Sequence, residues 1–579
     1  MKYLKFIAGA MLLSMSACSD NDEPAGGNTG GGTADNTAGF YSTISISMPP
    51  SSRASRADNK FVGEEVGQDV ENKVGSILVV VAKEDATVDG GYKFVTFALN
   101  DAPITGTTNN THTIVFQDKE ALFNEAGNEV CIFAYCNPTD EIRTKIAGTI
   151  NAATGKYEGG LSTDDAFTEE ICTAGADTWR DNAFLMTSVA VHKVELGNEE
   201  TLKTYNTPGN PFPLGKVKVI RTASRFDFRD ASVDLDEYKN LPEGETAPAL
   251  TYPVYDPNLT PKKKVADITL SSVALFNLAD KFYYLPHSLM NGTGNPVVSA
   301  GPDDNTTHFM TALEYPNLVV SPASQNYSYG IPQVSGVPTI NPLDRAAAGL
   351  DWKDLAELIG GTEDKDNDWN TGDNAQDNRK GYHIWRYATE NTFAKGYTPA
   401  VTEMTGLVFE AEIKPAADFG NVVDGAYSDM YLYGGILYAN TKQIYEAAQL
   451  SPSTNLANAF NAGFDVTLDE SGAFVSATPK EGVDLANLKF TVYKPDPARE
   501  NKYFCYYFYF NQHDADNDPT VVSDMEYATV RNNVYKIAVK KITGFGTFTP
   551  PDPKDWDVYF QVDVEVLNWV VRVNDGIEF

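Results

Sequence analysis

The carboxyl-terminal segment Val558–Phe579 is the feature that most constrains how this chain can fold. Apolar residues occupy every second position at its start: Val558, Phe560, Val562, Val564 and Val566. Because successive side chains of a strand point to opposite faces, this pattern predicts a β-strand with one apolar face and one polar face. The alternation then changes phase, and the apolar set becomes Leu567, Trp569, Val571 and Val573. A bulge at Val566–Leu567, or a break between two strands with different partners, explains the change.

A stiff tether precedes this segment. Residues 544–555 contain three prolines and two glycines, which disfavour regular structure and favour an extended linker. Two interpretations of the tethered strand stay open. It is either the last strand of its own sheet, or a strand that fills the groove of another molecule by strand addition. When extended it spans roughly 70 Å, at about 3.3 Å per residue, which is long enough to cross a neighbouring domain.

Length and charge narrow the class of protein. A chain of 579 residues predicts two or more domains with a sizeable core. The net charge of -34 argues against nucleic acid or an anionic membrane surface as a partner, because both would repel it. The chain has 30 tyrosines and 30 phenylalanines, frequent turn residues and little long helical periodicity. We therefore predict a mainly β, secreted protein with a few short helices.

The amino-terminal residues predict export. Lys2 and Lys5 precede a short apolar run, Phe6–Leu13, which is too short to span a bilayer. The sequence ending at Cys18 resembles a bacterial lipobox, which implies cleavage before Cys18 and acylation of its thiol. An ordinary secretory signal with an incidental cysteine is the alternative. We expect residues 1–17 to be the signal peptide.

A short strand and an arginine-containing loop follow the polar tether. Within Phe40–Met48, the apolar residues Ile44, Ile46 and Met48 share one face, and Pro49 and Pro50 end the strand. The next residues are small and polar, and they include Arg53 and Arg56. Such a loop can be bound in extended form by a protease. A plain solvated loop is the alternative.

The residues show no catalytic or metal-binding constellation. The motifs of serine hydrolases, P-loops, zinc proteases and dinucleotide sites are absent, and the six histidines make no ligand pair. Asp364–Asp368 begins like a calcium loop, but Trp369 and Ala375 stand where such loops have glycine and glutamate, which favours a solvated acidic loop. We expect no enzymatic activity, no metal and no cofactor.

Two further groups of residues have open interpretations. Four cysteines follow Cys18, at Cys131, Cys136, Cys172 and Cys505, and they are either buried small apolar residues or the source of one disulfide. The aromatic run Tyr503–Phe510 indicates either a sugar-stacking platform or, more in keeping with its length, a central strand packed on both faces.

Four stretches in order resemble the fimbrillins of type V pili of Gram-negative Bacteroidales-type bacteria, most closely the shaft subunit of the minor fimbrium. They are the lipobox with its short strand and arginine loop, Arg221–Phe226, Tyr387–Thr392 followed by the strand Gly406–Lys414, and Val530–Lys536 followed by the tether and terminal strand. The resemblance spans nearly the whole chain. It implies two β-sandwich (transthyretin-like) domains and an extended carboxyl-terminal donor strand. The expected divisions are a propeptide at 18–56, domains at 57–228 and 229–543, and the linker and donor strand at 544–579.

The same resemblance implies a mechanism of assembly. A precursor that is lipid-anchored to the outer membrane keeps Phe40–Met48 in a groove of its first domain. An arginine-specific protease cuts after Arg56, with Arg53 as the reserve site, and Ala57 becomes the mature amino terminus. The terminal strand of the next subunit then fills the groove. The implied partners are identical subunits joined head to tail, accessory tip and anchor pilins, and a host or bacterial surface receptor, with no nucleic acid.

The leading hypothesis is therefore a structural pilin of a cell-surface fimbrium that supports adhesion. The alternative is a surface lipoprotein of β-sandwich modules that binds glycans, supported by the lipobox, the acidity and the aromatic residues. A third hypothesis, an extracellular hydrolase, lacks a convergent acid–base pair in the sequence.

Overall fold

The computed structural model describes most of the chain beyond the amino-terminal tether. The described residues are 39–47, 64–88, 91–101, 111–175, 178–180, 183–188, 191–239, 241–242, 244–287, 321, 326–361, 381–393, 398–423, 425–513, 526–551 and 560–570.

Strands dominate these residues. Those of the amino-terminal half are β1 (Tyr41–Ser47), β2 (Glu64–Val66), β3 (Ile77–Glu84), β4 (Tyr92–Asn100), β5 (Thr111–Val115), β6 (Glu129–Cys136), β7 (Gly148–Ile150), β8 (Tyr157–Gly159), β9 (Ile171–Thr173), β10 (Trp179–Arg180), β11 (Ala183–Phe184), β12 (Met186–Ser188), β13 (His192–Glu195), β14 (Phe212–Arg221) and β15 (Ala223–Arg229). Those of the carboxyl-terminal half are β16 (Thr251–Tyr255), β17 (Lys264–Phe276), β18 (Leu278–Ala279), β19 (Lys281–Tyr283), β20 (Tyr327–Ser328), β21 (Gln333–Val334), β22 (Val337–Pro338), β23 (Lys353–Asp354), β24 (His383–Thr389), β25 (Gly406–Pro415), β26 (Val422–Val423), β27 (Ala426–Tyr427), β28 (Met430–Tyr433), β29 (Ile436–Tyr438), β30 (Phe464–Leu468), β31 (Phe474–Pro479), β32 (Thr491–Tyr493), β33 (Tyr503–Phe510), β34 (Asn533–Ile542) and β35 (Phe560–Val570).

The helices are short, and six of the seven that the structure describes begin at a side chain that caps them. They are α1 (Asp69–Asn72), α2 (Lys119–Phe123), α3 (Asp140–Ala147), α4 (Glu199–Leu202), α5 (Leu355–Gly360), α6 (Thr441–Leu450) and α7 (Asn455–Gly463). Asn440 caps α6 by accepting from the amide of Gln443 at 3.1 Å, and Thr454 does the same for α7. The predicted mainly β fold with a few short helices is confirmed. None of the helices that the structure describes is long and apolar enough to span a membrane.

The first large sheet curls around its own core. Its strand order is β4-β3-β6-β12-β14-β1-β5, with β13 beside β6. The two ends of this order approach each other, because Gln117 N donates to Phe97 O at 3.0 Å and Ala98 bridges to Phe116. Inward side chains of β1, β3, β4, β5, β6 and β14 share one buried apolar cluster. The strand β1 therefore lies inside a nearly closed sheet.

Strands of the carboxyl-terminal half, together with β2 and β15, form a sandwich of two sheets. One sheet has the order β2-β35-β34-β15-β24, and the other has β16-β17-β25-β33, with β23 beside β17. Side chains of β15 and β34 pack in one cluster with those of β17, β25 and β33. All eight residues of β33 are buried, so the aromatic run Tyr503–Phe510 is a central strand, and it offers no exposed sugar-stacking platform.

The chain changes sheets at a single residue. The strand β14 ends at Arg221 in the first sheet, and β15 begins at Ala223 in the second. Only Thr222 lies between them, and its backbone N–H donates to Leu185 O at 3.1 Å. The change of sheet comes a few residues before the predicted domain boundary at 228, and the division into domains stays a prediction.

Candidate functional site

The strand β1 is held on both sides. It runs parallel to β14, with Ile46 opposite Val217, and antiparallel to β5, with Ser42 opposite Ile114. At its start, Tyr41 N donates to Tyr205 O at 2.9 Å, and Phe116 N donates to Phe40 O at 3.2 Å. A sheet that lost β1 would have an open slot with a backbone edge on each side.

The inward face of β1 combines good and poor core residues. Ile44 and Ile46, two of the predicted residues, are buried. Met48 lies outside the described residues. Phe40, which sequence reasoning placed in the strand but not on its anchoring face, is also buried and packs its ring against Phe116, Phe123, Tyr205 and Phe212. Alternate residues of a strand share a face, so Phe40 lies on the same face as Ile44 and Ile46, and this spacing identifies it from the sequence.

Ser42 is the weak position of this face. It is buried, and its Oγ has no hydrogen-bond partner among the described residues. An unpaired buried hydroxyl costs about 1–3 kcal/mol. The hydroxyl of Ser45, on the opposite face, bonds to Thr111 Oγ1 at 2.7 Å. The strand therefore holds its place less tightly than an all-apolar strand would.

The terminal strand β35 lies in the chain's own second sheet. It pairs antiparallel with β34, with Val562 opposite Val539 and Val566 opposite Tyr535. Of the predicted apolar set, Phe560, Val562, Val564, Val566, Leu567 and Trp569 lie in this strand, whereas Val558, Val571 and Val573 lie outside the described residues. Val562 is partly buried against the sandwich core. The role of this strand as a donor stays a prediction.

The expected bulge at Val566–Leu567 is absent from this pairing. The register runs through these residues without a shift, and the irregularity lies between Val539 and Lys541 on β34. The phase change instead coincides with a change of neighbours. From Asn568 to Val570 the strand gains β2 as a parallel partner on its outer edge. The other explanation offered by the sequence, a break between two strands with different partners, is also wrong, because Phe560–Val570 is one strand and pairs with β34 through Asn568.

A buried ionic cluster fixes the segment that follows β2. Glu71 of α1 is fully buried, and it accepts from Arg225 Nη1 at 3.0 Å and from the Tyr387 hydroxyl at 2.6 Å. Arg225 also forms two hydrogen bonds with Asp227, at 2.9 and 2.7 Å. Burial, followed by the negative charge of Glu71, raises the pKa of Tyr387 far above its ordinary value. The tyrosine is therefore a fixed donor to the carboxylate.

Two neighbouring arginines extend this cluster. The guanidinium of Arg221 donates to Glu71 O at 3.2 Å and contacts Asn72 and Asn532, and burial lowers the pKa of Arg221 to about 9. Arg531 forms two hydrogen bonds with Glu390, at 2.9 and 3.1 Å, and donates to the carbonyls of Tyr283 and Tyr284. Three of the stretches that carry the resemblance thus supply buried charges at the junction of the sheets. The sequence analysis did not identify Glu71 as part of this cluster. The only indication in the sequence is that Glu71 is an acidic residue shortly before a strand of apolar residues.

The cysteines, the predicted processing residues and the acidic loop are the remaining features that the sequence singled out. Cys131, Cys136, Cys172 and Cys505 are buried and free of disulfides, and burial raises the pKa of the Cys136 and Cys505 thiols to about 12. Cys18, Arg53, Arg56, Ala57 and the acidic loop Asp364–Asp368 lie outside the described residues. Within the described part of the chain, no three His, Cys, Asp or Glu side chains are grouped to hold a metal ion.

Comparison with known proteins adds a match at the carboxyl terminus. Residues 501–575, which contain β33, β34 and β35, match the family described as "Major fimbrial subunit protein type IV, Fimbrillin, C-terminal". No curated protein matches the chain in sequence.

Several solved structures are similar along most of their length. A fimbrilin (fimA) from Porphyromonas gingivalis W83 is 15% identical, with 91% of this chain and 98% of that chain covered and a TM-score of 0.34. The tip fimbrial protein Mfa3 from Porphyromonas gingivalis is 10% identical, with 91% and 100% covered and a TM-score of 0.32. A candidate cell adhesion protein from Parabacteroides distasonis is 11% identical, with 92% and 98% covered and a TM-score of 0.37. The match over residues 501–575 places the carboxyl-terminal region of this chain in the fimbrillin family.

Proposed function

We propose that this chain is a structural subunit of a cell-surface fimbrium, that it polymerises by protease-triggered donor-strand exchange, and that the fibre supports adhesion. The observation that carries the proposal is the position of β1. This strand lies between β14 and β5 inside the first sheet, and the chain that follows it contains Arg53 and Arg56. One cut in that chain would separate β1 from the rest of the protein.

The side chains of the two strands support an exchange in one direction. Inward positions of β1 hold Phe40, Ser42, Ile44 and Ile46, so one of the four is a buried hydroxyl without a partner in the described structure. The terminal segment offers an unbroken apolar alternation from Val558 to Val566. At about 1.5–3 kcal/mol for each fully buried large side chain, the terminal strand gains several kcal/mol over β1 in the same slot.

The subunit must also release its own tail. Because β35 pairs with β34 in the isolated chain, assembly transfers this strand from β34 to the slot of a neighbour. The contact joins the tail of one copy to the groove of the next, so it does not close on itself and extends into a filament. We propose that the precursor is lipid-anchored through Cys18 and that Ala57 is the mature amino terminus. The partners are identical subunits, with accessory tip and anchor pilins and an arginine-specific protease.

A disulfide that locks β1 in place tests the exchange. Thr43 and Thr113 lie directly opposite each other on β1 and β5, within the range that an antiparallel disulfide spans. Cysteines at both positions should permit proteolytic cutting but block polymerisation until a reductant is added. The matched control places cysteines at Thr467 and Ser476 of the β30–β31 hairpin, which should polymerise with or without reductant.

Two results would contradict the proposal. Normal fibres formed by the oxidised Thr43→Cys/Thr113→Cys protein would show that β1 stays in place during assembly. Amino-terminal sequencing of subunits from fibres on cells gives the second test. Subunits that begin at Ala57 support the processing step, whereas subunits that retain Phe40–Met48 refute it.

A further inference from the structure

We propose that a cleft beside the junction of the two halves binds a neutral saccharide. The cleft has a volume of ≈ 660 Å³, within the ~300–1,000 Å³ range of small-molecule sites. Three of the six tryptophans in the chain line it: Trp179, Trp352 and Trp385. None of the described residues that line the cleft belongs to β1 or β35, so we treat this site as separate from the proposed polymerisation surfaces.

The aromatic walls are held in place by contacts behind them. Trp179 stacks on Phe282 with ring centroids 5.9 Å apart, and its Nε1–H donates to Thr222 Oγ1 at 3.1 Å. Trp385 meets Phe226 edge to face at 6.4 Å. These rings are only partly buried, and Tyr329 is 38% exposed. Fixed, partly exposed aromatic faces suit the apolar C–H face of a sugar ring, because little side-chain freedom is lost on binding.

The polar groups of the cleft are balanced in charge. Asp280 and Asp351 supply two carboxylates, while Lys353 and Arg386 supply two cations. Arg386 pairs with Asp351 at 2.6 Å and lies over the Tyr329 ring, 5.2 Å from its centroid. A phosphate or sulfate group would meet the two carboxylates, and a cation would meet the lysine and the arginine. A neutral ligand with many hydroxyls can use both kinds of group as hydrogen-bond partners.

Trp352, the third tryptophan of the cleft, is also held by its surroundings. The indole Nε1 of Trp352 is buried and has no partner among the described residues. The ring itself is steadied by Arg345, whose guanidinium lies 5.2 Å from the ring centroid. The cleft thus offers aromatic faces and side chains of both charges in one place.

The test uses the monomeric full-length chain and three neutral probes: cellohexaose, maltohexaose and mannohexaose. We expect at least one probe to change tryptophan fluorescence saturably, with a dissociation constant between about 10 µM and 1 mM. Trp352→Ala and Asp351→Asn should each weaken that binding by about tenfold or more, a loss of ~1.4 kcal/mol. Thermal unfolding of each variant shows whether its fold is intact, and Trp352→Phe replaces Trp352→Ala if the latter does not fold.

Tyr427→Ala is the matched control, because this tyrosine is 48% exposed and is not among the residues that line the cleft. It should bind the probe as the unaltered chain does. No saturable change with any probe at about 10 mM would overturn the proposal. Tighter binding of a sulfated or sialylated hexasaccharide than of all three neutral probes would overturn the charge argument. Because binding is measured on the monomer, its failure is distinct from a failure to polymerise.

Discussion

Ser42 shows how a single residue can set the strength with which a strand is held. It occupies an inward position of β1 between Phe40 and Ile44, where its hydroxyl is buried without a partner in the described structure. A fully apolar strand at this site would be more stable. Under the proposed mechanism β1 leaves during assembly, and a moderate free energy of binding is then an advantage.

We expect Ser42→Ala to stabilise the uncut precursor by about 1 kcal/mol, because it removes an unsatisfied hydroxyl without adding volume. The same change should slow polymerisation after proteolysis, since β1 leaves less readily. Chemical denaturation and light scattering measure the two effects. Ser45→Ala is the control. It should change neither the stability of the precursor nor the rate of polymerisation by much, because the Ser45 hydroxyl lies on the polar face of β1. Faster polymerisation of Ser42→Ala would contradict this account.

Glu71 gives the prediction for the buried ionic cluster. Glu71→Gln removes one partner of Arg225 at a fully buried site, where an unbalanced charge is costly. Asp227 still pairs with this arginine, so we expect a loss of about 2–3 kcal/mol in the free energy of unfolding. Urea denaturation measures it. Glu199→Gln, which breaks the exposed pair with Lys203, should cost less than about 0.5 kcal/mol. Equal losses in the two variants would show that the buried cluster contributes little.

At the scale of elements, β2 lies between the predicted cleavage site and α1, and it pairs with the terminal strand β35. It follows the predicted cut after Arg56 by a few residues, and it covers the outer edge of β35 from Asn568 to Val570. The buried Glu71 fixes the chain just after β2. The edge that β2 covers belongs to the strand that the proposed exchange would release.

Replacing Glu64–Val66 with three glycines should loosen β35, because glycine lowers strand propensity and β2 would no longer cover its edge. We expect faster amide exchange in Phe560–Val570 and faster polymerisation of the cut protein. Hydrogen exchange with mass spectrometry measures the first effect. As a control, two glycines replace the short edge strand Val422–Val423. This change should leave both the amide exchange of Phe560–Val570 and the rate of polymerisation unchanged. Unchanged exchange in Phe560–Val570 would show that β2 does not retain the tail.

For the whole molecule, removal of Val558–Phe579 separates folding from assembly. All the buried residues that the structure describes in the two clusters precede this segment, so the truncated chain should remain folded. It should not polymerise alone, because it has no strand to donate. Its groove still accepts a strand, so a small proportion added to intact subunits should shorten the fibres. Electron microscopy measures their length, and normal fibres from the truncated protein alone would exclude the donor role.

The sequence by itself determined the local elements whose residues repeat with a clear period. The alternation in Phe40–Met48 and Val558–Val566 predicted strands that the structure contains. The aromatic run Tyr503–Phe510 was long enough to indicate a core strand. These features depend on neighbours in the chain, for which side-chain direction follows directly from backbone geometry.

Only the tertiary structure decided which distant residues meet. It placed β1 between β14 and β5, joined Glu71 to Arg225 and Tyr387, and gathered three tryptophans into one cleft. It also placed β35 on β34, one of the two partners that the pattern had left open. Alternation determines which side of a strand is apolar, but a strand with a given apolar side can pair with many different strand edges. The choice among them depends on the packing of the whole chain.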